Sequence, residues 1–132
     1  MAWDVIIVGG GPAGLSAALI LGRCRRRVLL VDADRPRNQV TSALHGFLTR
    51  DGIHPRAFRR IGREQLAIYD TVRVERNEAV RARCLATGFQ VTMRDGRRER
   101  CRKLLLATGV VDDVPRIRGI DAMYGRSVFH CP

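Results

Sequence analysis

Apolar and polar positions divide the first third of the chain cleanly. Asp4–Val8 and Val28–Val31 are short, continuous apolar runs rich in β-branched residues, the pattern of strands buried on both faces of a parallel sheet. Between them, Leu15–Cys24 places Leu15, Ala18, Leu19 and Gly22 on one side of a helix. The second run ends in Asp32. Arg35–Gly52 has no clear period, and Pro36 and Asn38 mark turns there. Pro55 suits the first turn of a second helix, whose buried side is Ala57, Phe58, Ile61, Leu66 and Tyr69. Thr71–Glu75 then alternates as a strand. Glu78–Ala86, Gly88–Met93 and Glu99–Cys101 read as short antiparallel strands, with Asp95-Gly96 as a hairpin turn. Residues 71–101 are therefore expected to form a small β-meander inserted after a βαβ unit. Lys103–Ala107 is a further buried strand ending in Thr108-Gly109, and Ser127–Phe129 starts another.

The fold class expected is α/β, a Rossmann-like βαβ domain carrying an antiparallel meander. A chain of 132 residues and 14.8 kDa fits one such domain and not a two-domain enzyme. No apolar stretch reaches the roughly 20 residues a helix needs to cross hydrocarbon. The N-terminus carries Asp4 and no basic residue ahead of its apolar run, unlike a secretory signal. Cytoplasmic placement and no membrane partner are the expectation.

Candidate chemistry lies between the first strand and the first helix. Gly9-Gly10-Gly11-Pro12-Ala13-Gly14 contains G-x-G-x-x-G. In this setting Gly9 makes the tight turn, Gly11 lets the backbone approach a pyrophosphate, and Gly14 lets helix and sheet pack closely. The phosphates would meet the free N–H groups of the helix N-terminus. Asp32, 18 residues beyond Gly14, stands where an acid binds ribose hydroxyls; Asp34 is the rival acid, placed in the loop. The motif reports a dinucleotide without saying which.

Net charge is +11, with Lys103 the single lysine among 24 basic residues. Such a field attracts phosphates and acidic partners. The arginines are scattered, aromatics are 5%, and no zinc-finger spacing occurs, so they are read as solvated faces and nucleic acid is not expected. Cys24, Cys84, Cys101 and Cys131 lack CxxC spacing, so no metal site is expected. Leu44-His45-Gly46-Phe47-Leu48 is unusually apolar for a loop, which fits a ligand-lining loop or an ordinary buried one. His45 is either a donor to a cofactor or a core-edge histidine, and His54 is expected in solvent.

The segments DVIIVGGGPAGLSAAL, VLLVD, HGFLTRDG, FQVTMRDGR, LLLATG and SVFHCP run from Asp4 to the last residue. Together they resemble the N-terminal part of a bacterial FAD-dependent pyridine nucleotide-disulfide oxidoreductase of the thioredoxin reductase-like branch. The resemblance implies that Gly9, Gly11, Pro12, Ala13 and Gly14 hold the FAD pyrophosphate and flavin side, and that Asp32 takes the adenosine ribose. It places His45, Gly46, Thr108 and Gly109 beside the cofactor and Val80 near adenine. Cys131 would be the first cysteine of the family's redox CxxC. Its partner cysteine, the NAD(P)H domain and the C-terminal FAD segment are not in this sequence, so the chain alone is expected to be inactive. A thioredoxin-like protein or a small disulfide is the implied electron acceptor. A homodimer or a complementing C-terminal half is the implied companion. A non-catalytic dinucleotide-binding module is the alternative.

Overall fold

The structure, a computed structural model, describes residues 2–129. Strand β1 (Trp3–Val8) leads into helix α1 (Pro12–Arg23), which returns the chain to β2 (Val28–Asp32) beside β1. A 3-10 turn (Arg37–Val40) and a long loop lead to α2 (Pro55–Leu66). Strands β3 (Val72–Arg76), β4 (Ala79–Leu85), β5 (Gly88–Met93) and β6 (Arg98–Leu106) follow, then the short α3 (Ile120–Met123). All six strands form one sheet in the order β3-β2-β1-β6-β5-β4.

The sheet is parallel from β3 to the inner half of β6 and antiparallel beyond it. β1 pairs with β2 through Val5–Val28 to Val8–Val31, and with β6 through Trp3–Cys101 to Val8–Leu106. Both connections that build β1-β2-β3 run through a helix, as parallel strands require. Helices α1 and α2 cover one face, burying Ile7, Leu15, Ala18, Val28, Leu30 and Leu66. The other face buries Ile6, Leu29, Val31, Val91, Met93 and Cys101 where the meander folds over it. Gly22 allows the close approach of α1 to the strand behind it, since a Cβ there would lie 2.8 Å from Val72 Cγ2.

Four expectations change. Helix α1 starts at Pro12, not Leu15, because Gly11 is already an extended N-cap and proline presets the first helical φ. The strand after α2 is not part of the meander. It pairs in parallel with β2 through Val28–Val72 to Asp32–Arg76, because α2 is a crossover that delivers it to the free edge of β2. The meander therefore begins at Ala79 rather than residue 71. Glu99–Cys101 and Lys103–Ala107 are not separate strands. They are one continuous strand, β6, whose start pairs antiparallel with β5 and whose remainder pairs parallel with β1. Ser127–Phe129 contributes only an isolated bridge, Tyr124–Val128.

The parallel and antiparallel halves are clasped by charge. Glu78 accepts from Arg94 Nε at 2.8 Å and meets Arg35 at 2.8 Å. Arg97 reaches both Glu75 on β3 and Asp95 in the hairpin. Trp3 Nε1 donates to Glu99 Oε2 at 3.0 Å across the β1–β6 seam.

Leu30→Ala should cost about 2–5 kcal/mol in urea unfolding, since its side chain is fully buried. Leu106→Ala, at 68% exposure, should stay within about 0.5 kcal/mol. The hydrogen bond from Arg94, helped by Arg35, lowers the Glu78 carboxyl from 4.5 to about 2. A depressed carboxyl stabilises the fold fully above its ordinary value and loses that contribution as pH falls toward about 2. An NMR titration of Glu78 should therefore show its midpoint near 2, and Arg94→Ala should move it up.

Candidate functional site

Three glycines at the carboxyl end of β1 do different physical work. Gly9 turns the chain with φ +110, and a Cβ there would lie 2.1 Å from the Ala107 carbonyl oxygen and 3.2 Å from Thr108 Cα. Its N–H donates to the Val31 carbonyl at 2.8 Å, fastening the turn to β2. A Cβ on Gly14 would lie 1.9 Å from the Gly9 carbonyl oxygen. Both positions are closed by packing. Gly11 differs: its φ of −76 suits any residue, and a Cβ would have nothing within 4 Å. Its bare backbone faces open space in front of α1.

That space lies at the positive end of the α1 dipole. Pro12 has no N–H, and the amides of Ala13 and Gly14 belong to the first turn, where a helix offers no acceptor of its own. No side chain caps this end and no acid occupies the first turn. The helix dipole and these N–H groups favour an anion at this point.

Asp32 closes the site at the end of β2. It is buried at 7% exposure. Its Oδ1 accepts from the Asp34 N–H at 3.0 Å and its Oδ2 from Arg63 Nη2 at 2.5 Å. Gly10 lies beneath it, and a Cβ there would come 2.3 Å from Asp32 Oδ2. Asp34 does lie in the loop, in a left-handed conformation with φ 56. It accepts from Arg59 Nη1 at 2.6 Å. This hydrogen bond, with the nearby Arg63 charge, holds the Asp34 carboxyl below the usual carboxylate range against the opposing effect of burial. The sequence reading missed Gly10, Arg59 and Arg63. A signal existed: Arg59 and Arg63 stand four residues apart on the phase of α2 that buries Leu66, an odd place for two arginines unless acids face them.

A polar cavity of about 340 Å3 opens beside this cluster, lined by Asp34, Gln39, His54, Arg56, Arg59 and Arg63 among others. Arg59 is 8% exposed, and its Nε has no hydrogen-bond partner among the described residues. His54 is exposed, and its Nδ1 accepts from the Arg56 N–H at 3.2 Å, capping α2.

On the far side of β1 the register shift between Ala79 and Arg81 throws Val80 out of the β4 ladder. Val80 then lines a smaller, mainly apolar cavity of about 180 Å3 with Val8, Ala82, Val91, Leu106 and Thr108. The structure thus brings Val80 and Thr108 to one cavity, and Thr108 also abuts Gly9. Gly109 continues the turn with φ +67. His45 and Gly46 lie on a separate exposed loop closed by Leu44–Ile53 and Gly52–Leu44 backbone bonds. There Asp51 Oδ1 accepts from the Gly46 N–H at 2.8 Å and lies 3.6 Å from His45 Nδ1. Phe47 pins the loop to α2 through an edge contact with Phe58, ring centres 4.8 Å apart. Cys131 lies outside the described residues.

The donor set fits the adenosine and pyrophosphate half of a dinucleotide. It offers an open glycine before free helix amides, an acid with held orientation, and an apolar cavity across the strand. Fold and site together define a dinucleotide-binding α/β domain. The comparisons narrow the class. The model of the pyridine nucleotide-disulphide oxidoreductase family matches residues 3–132, and the chain belongs to that family. It is 38% identical to thioredoxin reductase tcpT of Claviceps purpurea over 97% of this chain, and 37% identical to thioredoxin reductase aclD of Aspergillus oryzae over 98%. An oxidoreductase of Agrobacterium tumefaciens superposes on the whole chain with TM-score 0.95 at 45% identity. The chain spans 41% and 42% of the two curated relatives and 45% of that structure. Among the described residues no helix is long and apolar enough to cross a membrane.

The glycines separate folding from binding. Gly9→Ala should destabilise the chain by well over 1 kcal/mol, because it combines a left-handed φ with a backbone clash. Gly11→Ala should change stability by less than about 1 kcal/mol yet weaken dinucleotide binding. Thermal melts without cofactor, paired with a dinucleotide titration, check both.

Proposed function

We propose that this chain is the FAD-binding portion of an NAD(P)H-dependent flavoprotein of the thioredoxin reductase type. The observation that carries the reading is the open backbone at Gly11, set before uncapped helix amides while Gly9 and Gly14 are packed shut. In this reading Gly9, Gly11, Pro12, Ala13 and Gly14 form the pyrophosphate and flavin side, with the Ala13 and Gly14 N–H groups as donors, and Asp32 accepts from the adenosine ribose hydroxyls. Val80 lies against adenine, Thr108 and Gly109 border the cofactor, and His45 and Gly46 approach it from the loop. Bound FAD supplies the two-electron redox chemistry. The protein supplies position, charge and a partly dry wall.

Asp32 can do this because Arg63 and the Asp34 amide each take only part of its acceptor capacity. A carboxylate has about four lone-pair sites, so ribose donors find an acceptor whose orientation is already set. Cys131 is proposed as one thiol of a redox pair, with the second thiol and the nicotinamide site supplied from outside these 132 residues. A thioredoxin-like protein or a small disulfide would take the electrons, in a cytoplasmic setting and with a homodimeric or complementing partner. These assignments are supported by the family membership and by the thioredoxin reductases among the relatives.

FAD titration of the purified chain, followed by flavin fluorescence polarisation, should saturate at one equivalent. Gly11→Asp should abolish binding, because it sets a carboxylate where the pyrophosphate charge must lie. A folded chain with no saturable FAD binding overturns the proposal.

A further inference from the structure

The outer face of the meander carries charge that the dinucleotide site does not use. β4 pairs with β5 through Arg81–Thr92 and Arg83–Gln90, and β5 pairs with β6 through Thr92–Arg98 and Gln90–Arg100. Directly paired residues share a face, so Arg81, Arg83, Arg98 and Arg100 stand together around Gln90 and Thr92. The opposite face holds Val91, Met93 and Cys101 in the core, and Glu99 also points that way, to Trp3. All four arginines are exposed.

Their neighbours are paired and they are not. Arg94 takes Glu78, Arg97 takes Glu75 and Asp95, and Arg102 faces Asp4. Among the described residues none of Arg81, Arg83, Arg98 and Arg100 has an acidic partner, and Arg83 binds only the neutral Gln90, at 2.7 Å. Like charges gathered on one sheet face repel, and the strand register fixes where their side chains start. An incoming anionic surface relieves that repulsion.

We propose that this face docks an acidic helix of a partner protein. Along each strand the arginines repeat at about 7 Å, and the β4 and β6 columns stand about 10 Å apart across β5. Carboxylates at i and i+4 of a helix repeat at about 6 Å, and a helix with side chains is about 10 Å across. A helix lying along β5 with two such rows of carboxylates, one toward each flank, presents them to both columns, and the planar guanidinium fork suits carboxylate oxygens. The described strands put no aromatic side chain on this face for stacking single-stranded bases. They also offer no helix or protruding ribbon to enter a DNA groove.

The test titrates the 132-residue chain with a fluorescent alanine-based helix bearing two rows of glutamates on one face, each repeating at i and i+4. Replacing Arg81, Arg83, Arg98 and Arg100 together by Gln should weaken binding at least about tenfold, while the same loss of charge at Arg23, Arg26, Arg50 and Arg118 should weaken it less than about threefold. Should the fourfold face variant unfold by circular dichroism, Arg81→Gln with Arg98→Gln spares the Gln90 contact and should still weaken binding at least about threefold. Equal losses in the two fourfold variants, or no binding by the parent chain, overturn the proposal. So does tighter binding of duplex DNA or of anionic vesicles that is lost in the same face variant, which would assign the surface to phosphate.

Discussion

The close passage of the β1–α1 turn beneath the end of β6 is the constraint on which the rest depends. Gly9 sits so near the Ala107 carbonyl that no side chain fits between them, and Gly14 sits as near to Gly9. Two absent side chains let strand, helix and neighbouring strand meet at one point. The helix N-terminus is thereby held at the carboxyl edge of the sheet, where open α/β folds bind their ligands. The third glycine then has a separate task, because its missing side chain leaves space for a ligand instead of for the protein.

Around that turn the electrostatics are arranged in opposition. The helix end favours negative charge. A few residues away Asp32 and Asp34 would oppose it, and two arginines from α2 hold them. Arg63 lies on Asp32 and Arg59 on Asp34, with Arg59 also 3.8 Å from Asp32. Arg59 and Asp32 are buried, and Asp34 and Arg63 are partly so; leaving a buried partner alone is costly. The same contacts aim the carboxylate of Asp32. Fold stability and site geometry are thus served by the same ion pairs.

The arginine-rich composition divides into two populations. One is structural: Arg59 and Arg63 at the acid pair, Arg94 and Arg97 clasping the hairpin, and Arg37, whose guanidinium grips Asp112 at 2.6 Å. The other, among the described residues, has no acidic partner, and four of its members gather on one face of the meander. A net charge of +11 does not distinguish them, because composition counts residues and not neighbours. The strand register separates them, since it decides which arginines share a face and which acids have already been taken.

The βαβ unit, the three glycine positions and the acid ending β2 were legible in the chain because each depends on residues close together in order. Apolar runs, a proline at a helix start and a glycine spacing are local signals. The pairing of β3 was not legible, because the alternation of Val72 and Val74 marks a strand without naming its neighbour. Nor was the continuity of β6, because Arg102 and Lys103 look like a polar break until β5 and β1 are seen to flank the same backbone. The bulge that turns Val80 into its cavity and the arginines that hold Asp32 were hidden for the same reason. Arg63 stands 31 residues from Asp32 in the chain. Those contacts exist only once α2 has crossed the sheet and β4 has doubled back along β5, so tertiary packing alone could decide them.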